Sequence, residues 1–257
     1  MDLARHLPSG KYVIETITAS NFPGALDVIR EAFCKDESVC IGSEVNLNPA
    51  AVEELLELCA HAALDGVSVV AIEVKSQQVV AVSFNKIQLQ NIDSKERPFF
   101  EIFAEERCKE ESSRSLIKFM ANVDNRCNLF EKYNADCSLE LMFLATMHAH
   151  RKQGLGALLC DVSLEVAKRL KYTSIPSIKS EDLGPKYSHI PQSAELKTYP
   201  KICQALFTSN ISQAVGRKLG FNVDLRVPYS EFVFQGKTYA DRIGPSAPDC
   251  VLVSKVL

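Results

Sequence analysis

The sequence predicts an α/β (α+β) protein of one domain, a mixed sheet flanked by helices. Three observations carry that expectation. Leu141 to Ala145 is an apolar run of strand length, and it leads through a basic, glycine-containing turn into Leu155, Leu159, Val162, Val166 and Leu170 at helical spacing. Elsewhere, runs rich in β-branched residues alternate with amphipathic segments. A chain of 257 residues, 46% of them hydrophobic, can bury one full core without a second domain.

The elements follow in order. Tyr12 to Thr18 reads as a first strand. A helix from about Phe22 to Cys34 follows, with Pro23 near its start and Phe22, Leu26, Ile29 and Phe33 on one face. Asn48 as N-cap and Pro49 at the first helical position open a second helix through Leu64. Val67–Val74 and Val79–Ile87, joined by Lys75–Gln78, form an antiparallel hairpin. A third helix spans about Ser112 to Tyr133, its core stripe being Leu116, Phe119, Met120, Val123, Cys127 and Phe130. Tyr172 to Pro200, with four prolines, is a long loop with one helical turn, and loops of that length in compact domains are often functional. The strand Ile202–Phe207, a helix Ser209–Leu219 stopped by Gly220, and strands near 221–234 and 250–256 complete the sheet.

The turn between the Leu141 strand and the Leu155 helix carries Arg151, Gly154 and Gly156. Glycines let a ligand approach the backbone, and the free N–H groups and dipole at a helix start favour phosphate oxygens. Such a turn also serves simply to pack a helix on a strand. The sequence has no GxxxxGK[ST] motif, and a GxGxxG fingerprint would need glycine where Leu159 stands.

The order Arg-x-x-Gly-x-Gly after a strand and before a long helix resembles the acetyl-coenzyme A signature of the GNAT superfamily of N-acetyltransferases. Thr208–Val223, with Leu-Gly-Phe at 219–221, is similar to that superfamily's second helix. Ala32–Val39 is similar to the Phe-x-x-Asp-Glu-Pro segment of insect-type arylalkylamine N-acetyltransferases, with Ser38 where proline is usual. The resemblance implies one N-acetyltransferase domain over residues 1–257 with a mostly antiparallel sheet. The half from about 11 to 90 would carry the acceptor-cleft loop, and the half from about 138 to 257 the cofactor. Acetyl-coenzyme A is the implied acyl donor, held by Leu144, Ala145, Thr146, Arg151, Lys152, Gln153, Gly154, Leu155, Gly156 and Ala157. A small primary amine is the implied acceptor, an arylalkylamine or else agmatine or a polyamine. A protein lysine or N-terminal acetyltransferase and a non-catalytic acetyl-coenzyme A binder are the alternatives.

Acyl transfer to an alkylamine needs a free lone pair, and deprotonating the ammonium at neutral pH costs about 4 kcal/mol. A base is therefore useful, and Glu37 aligns with the carboxylate that serves as general base in the arylalkylamine branch. Read alone, Glu37 is equally a solvated loop carboxylate or a helix cap paired with Lys35. Asp36 beside it holds the loop or raises its neighbour's proton affinity. Backbone N–H groups at a bulged strand end near Leu144–Thr146 would polarise the thioester carbonyl. Many members place a tyrosine acid four residues before the glycine of Leu-Gly-Phe, where this chain has Gly216. Ser212 and Ser209 are the hydroxyls left on that helix and the candidates for protonating the thiolate, although Ser209 also reads as the helix N-cap. His148 and His150 flank the turn as phosphate contacts or a proton relay.

For the acceptor, Phe33, Tyr187, Tyr199 and Phe207 would suit an aromatic amine. Asp36, Glu37, Glu181, Asp182 and Glu195 would suit a polycation. A net charge of -3 without a polybasic cluster argues against nucleic acid. The absence of a signal core in the first ten residues and of any membrane-length apolar run leads to the expectation of a soluble, cytoplasmic monomer with no membrane partner. Nine cysteines without a CxxC pair read as buried thiols, with no metal expected, and the Asn210-Ile211-Ser212 sequon carries no meaning without a secretory signal.

Overall fold

The computed structural model describes residues 5–6, 10–90 and 97–257, so most of the ten N-terminal positions read above for a signal core lie outside the described residues. β1 (Arg5–His6) and β2 (Tyr12–Thr16) pair antiparallel. α1 (Phe22–Val28) has Pro23 in its first turn and passes into a π-helical stretch, Ile29–Phe33, closed by the turn α2 (Cys34–Asp36). π turns are uncommon inside helices and are frequent beside functional sites. α3 (Ser38–Gly42) and a 3₁₀ turn at Val45–Leu47 lead to α4 (Pro49–Ala63), where Asn48 caps the N–H groups of Ala50 and Ala51. The hairpin is β3 (Val69–Glu73) and β4 (Gln78–Leu89). α5 (Phe99–Glu106) and α6 (Glu111–Asn125) come next, then α7 (Leu129–Tyr133) and β5 (Cys137–Thr146). α8 (Leu155–Arg169), β6 (Ile202–Phe207), α9 (Asn210–Lys218) and β7 (Asn222–Pro228) follow. The small hairpin β8 (Val233–Phe234) and β9 (Lys237–Thr238), α10 (Tyr239–Ile243) and β10 (Asp249–Val256) end the chain.

One eight-stranded sheet in the order β1-β2-β3-β4-β5-β6-β10-β7 joins both halves of the chain. Every pairing in it is antiparallel except β5 with β6. One face is covered by α1, α4 and α6, whose Phe22, Leu55 and Phe119 share one apolar core with Phe84 and Phe143. The other is covered by α8 and α9, with Leu159, Val162 and Val166 over Leu139, Leu141 and Cys203. Asn85, fully buried in β4, fixes α8 to the sheet. Its Nδ2 donates to Ser163 Oγ at 2.9 Å and to the Val67 carbonyl at 2.8 Å, while its Oδ1 accepts from Ser83 Oγ at 2.7 Å.

The expected third helix is two helices. Asn128 accepts from the Glu131 N–H at 3.2 Å and so caps a new start, which apolar periodicity running through Cys127 and Phe130 conceals. α5 and α10 were not anticipated. α5 has seven bulky or acidic residues among its eight and no cap signal, and α10 is a single turn opened by a Thr238–Asp241 capping box. The long loop carries one 3₁₀ turn at Ser180–Leu183. Eight cysteines are buried and Cys127 is half-buried, all of them free thiols.

Candidate active site

The β5–β6 pairing sets up the cofactor side. It ends at Leu141 opposite Ala205, although β5 runs on to Thr146 and β6 to Phe207, so the two strands separate and leave a wedge of unpaired main chain. The separation starts beside a bulge. Phe84 faces Phe143 and Asn85 faces Leu141, leaving Met142 as the extra residue. The bulge therefore lies at Met142 rather than at Leu144–Thr146, where it was expected. Leu144, Ala145 and Thr146 remain the free edge beyond it.

The turn after β5 is shaped by left-handed residues, Lys152 at φ 61 and Gly154 at φ 78. A side chain at Gly154 would meet nothing within 4 Å, and one at Gly156 only Leu144 Cδ2 at 3.7 Å, so both glycines leave bare backbone open to a ligand. The first N–H of α8 to find a helical partner is that of Leu158, on the Gly154 carbonyl. Leu155, Gly156 and Ala157 thus present their amides at the helix start, the arrangement that receives phosphate oxygens. Tyr12, 1% exposed, holds the turn from beneath, with its hydroxyl 2.9 Å from both Gln153 Oε1 and His150 Nδ1. Gln153 therefore offers its amide, since its side chain is occupied. Arg151 departs from expectation as well. Its Nε donates to the Thr146 carbonyl at 3.1 Å and its guanidinium pairs with Asp36, so its charge links the turn to the acceptor loop.

Glu37 stands at the junction of α2 and α3. Its backbone turns extended (φ −72, ψ 139) and its Oε2 accepts the Cys40 N–H at 2.7 Å, which makes it the N-cap of α3. Lys35 pairs instead with Glu31. The other oxygen, Oε1, is buried and accepts no hydrogen bond from any described residue. Ser38 takes the first helical position, where a proline's missing N–H costs nothing, so its departure from the resembling segment leaves the backbone path unchanged. Phe33 packs on Phe143 of the wedge strand at 4.5 Å between ring centroids.

Two tyrosines that sequence reading did not select close this side. Tyr229, fully buried after β7, donates to the Thr208 carbonyl at 2.6 Å. Burial, and then the neighbouring Glu37, hold its phenol far above the ordinary range. Tyr239 shares a 2.8 Å hydrogen bond with Ser115 and is pushed up to about 12, mainly by burial. Nothing local in the sequence marks either one, because only the return of the chain along the far sheet edge brings Tyr229 to Thr208 and Tyr239 to Gly42 of α3.

Ser209 is the N-cap of α9, and the two candidate serines form a reciprocal capping box. Ser209 Oγ accepts from the Ser212 N–H at 3.1 Å and Ser212 Oγ accepts from the Ser209 N–H at 3.1 Å. Both hydroxyls stay half-buried at the mouth of the wedge. Two proposed acceptor residues are placed elsewhere. Phe207 is 4% exposed on the α8/α9 face, packed on Phe221 and against Gly216. It is core because odd-numbered residues of β6 point away from Glu37. Tyr187 is 5% exposed and packs on Phe22. Its loop is also tied by Ser193 to Asp65 and by Thr198 to Asp136, at the end of the sheet where β5 and β6 begin, opposite the Thr208 end. Among the described residues, no group of three or more His, Cys, Asp or Glu side chains is arranged to hold a metal, and no helix is long and apolar enough to cross a membrane.

No protein-family model and no curated protein matches the sequence. Solved structures do. Arylalkylamine N-acetyltransferase 2 from Aedes aegypti superposes with a TM-score of 0.69 at 20% identity, covering 95% of this chain and 98% of its own. The Drosophila melanogaster polyamine N-acetyltransferase, an enzyme that forms N-acetylagmatine, superposes with a TM-score of 0.67 at 14% identity, covering 96% and 100%. The C-terminal condensation domain of Ebony in complex with β-alanyl-dopamine gives 0.57 at 11%, covering 96% and 99%. A sheet split at Met142, a bare glycine turn and full-length superposition together make one assignment: the chain has the GNAT fold, in the form seen in insect arylalkylamine and polyamine N-acetyltransferases.

Proposed function

We propose that this protein is an acetyl-coenzyme A-dependent N-acetyltransferase acting on a small primary amine by direct attack. The observation that carries this reading is the buried, unpartnered Oε1 of Glu37, set across from a wedge of free strand edge that leads into a bare anion turn. A buried carboxylate oxygen without a donor is costly to maintain, and an amine nitrogen supplies the missing donor. Residues fit each part of the donor. Amides of Leu155, Gly156 and Ala157 suit the pyrophosphate, and the open edge at Leu144–Thr146 suits the pantetheine arm and the thioester carbonyl.

In the proposed reaction Glu37 accepts a proton from the ammonium, directly or through water. The freed lone pair attacks the thioester carbonyl carbon. A C–N bond forms, the now-cationic nitrogen gives up its second proton as the C–S bond breaks, and the departing thiolate takes up one proton through Ser212 or Ser209, which regain it from solvent, while Glu37 returns its own to solvent. Fixed main-chain donors at the wedge stabilise the charge that develops on the carbonyl oxygen.

Among acceptors, the residue set favours an arylalkylamine over agmatine or a polyamine. Asp36 is neutralised by Arg151, and the loop bearing Glu181, Asp182 and Glu195 is tied to the far end of the sheet, which leaves Glu37 without a second acidic partner. Phe33, on the element that leads into Glu37, packs on Phe143 of the wedge strand and gives this side of the site an aromatic floor. The test is release of free thiol from acetyl-coenzyme A by purified protein, with tyramine, tryptamine, dopamine, agmatine, putrescine, spermidine and a lysine peptide as acceptors. Turnover with the aromatic amines is expected. Preference for agmatine or spermidine would overturn the acceptor assignment, and tight binding of acetyl-coenzyme A without thiol release would overturn catalysis.

A further inference from the structure

The GNAT position that commonly carries a tyrosine is Gly216 here, and its space is filled by Phe207. A phenol nevertheless comes to the start of α9 from another element. Tyr229 lies just beyond β7, its N–H on the Pro248 carbonyl at 3.0 Å and its hydroxyl on the Thr208 carbonyl at 2.6 Å. Thr208 immediately precedes Ser209, the cap of α9. The same residue is packed towards the acceptor loop: its ring lies 6.1 Å from that of Phe119, which lies 5.7 Å from Tyr239, and Tyr239 abuts Gly42 of α3, with Ser38 and Glu37 acting electrostatically on the Tyr229 hydroxyl.

We propose that Tyr229 is a positioning residue that locks the start of α9 against the Glu37–Ser38 corner and so sets the distance between base and departing thiol. The inference rests on the N-acetyltransferase reading. Three features make it a bridge and not one more core ring. It is completely buried, its hydroxyl is spent on a main-chain carbonyl at the end of the wedge strand, and that carbonyl accepts no backbone hydrogen bond from the other described residues. Kept protonated by burial, the phenol goes on donating to this carbonyl through any working pH, and its oxygen stays able to accept from Ser38. A small error in such spacing is expensive, since a displacement of about 1 Å can cost 10²-fold in rate.

The experiment compares wild type with Tyr229→Phe, Ser38→Ala and the double variant. Two readouts are used: kcat and KM with tyramine and acetyl-coenzyme A, and amide hydrogen exchange across the whole chain. Tyr229→Phe should lower kcat roughly 10-fold or more, with KM for acetyl-coenzyme A within about twofold of wild type. Exchange should rise together at 36–42 and 207–213 and stay unchanged in α8. The double variant should be no slower than its slower parent, because both substitutions break one bridge. An unchanged kcat, or exchange that rises evenly over the chain, would overturn the proposal. If wild type turns over no amine, the functional reading fails, and the exchange pattern still decides whether the bridge exists.

Discussion

A Cβ built on Gly216 would stand 2.5 Å from Cε2 of Phe207 and 2.8 Å from its Cδ2. The helix and the strand beneath it are therefore in direct contact at this point, and the ring occupies the volume that a side chain at 216 would need. Gly216→Ala gains about 1 kcal/mol of helix propensity but forces a buried ring to move, at about 1–3 kcal/mol. Thermal unfolding should show a net loss of stability, and Phe207→Leu should restore it in the double variant. Placing tyrosine at 216 should abolish folding and supply no acid.

Glu37→Gln keeps an acceptor for the Cys40 N–H and removes the base. Turnover of the preferred amine should fall by roughly 10²-fold or more. Affinity for acetyl-coenzyme A, measured calorimetrically, should not change. Normal turnover would show that another group takes the proton.

Gly154→Val places a β-branched side chain at φ 78, a conformation costing about 1–3 kcal/mol, and puts methyl groups where the open turn faces its ligand. Binding of coenzyme A should be lost or weakened more than tenfold, while the unfolding midpoint falls only modestly. Equal coenzyme A binding by wild type and variant would place the phosphates elsewhere.

Asp36 and Arg151 are about half and one-third exposed, so their ion pair is weak and screened by salt. Freed from Asp36, the guanidinium can turn to the phosphates. Asp36→Asn should tighten coenzyme A binding by up to about fivefold at low ionic strength, the equivalent of 1 kcal/mol, and by less at high salt. Weaker binding would mean that the pair braces the turn instead.

Glu140, 3% exposed in β5, is pushed up to about 7 by burial, against smaller opposing effects of Gln88 and Lys86. Gln88 Nε2 donates to it at 2.7 Å, Gln204 faces it across β6, and Asp124 of α6 is itself raised by burial and by Glu140. The folded state holds this proton more tightly than the unfolded chain, whose glutamate titrates near 4.5. Stability should thus be greatest below pH 4.5, as far as this group is concerned, and decline up to about pH 7, by on the order of 3 kcal/mol. Denaturant midpoints across that window should fall with pH, and Glu140→Gln should flatten the slope.

The sequence by itself determined what is local. Alternation and 3.6-residue spacing mark the hairpin of β3 and β4, the helix with Asn48 and Pro49 at its head, and α8 between Gly154 and Arg169, because each is specified by neighbours a few residues apart. The glycine turn was legible for the same reason, as was Ser209 as the N-cap of α9, which the structure shows and which stands alongside its proposed role towards the thiolate. Only the tertiary structure decided the contacts that cross the sheet. Asp36 meets Arg151 across 115 residues, Tyr229 reaches the Thr208 carbonyl from the far edge, and one bulge at Met142 opens the wedge. Strand parity, not residue type, sends Phe207 into the core, and the long loop's ties to Asp65 and Asp136 hold Tyr187 away from the wedge. Aromatic residues look alike in a one-dimensional pattern whether they line a cleft or fill a core. Which they do depends on how the sheet closes over long loops, and periodicity carries no record of that.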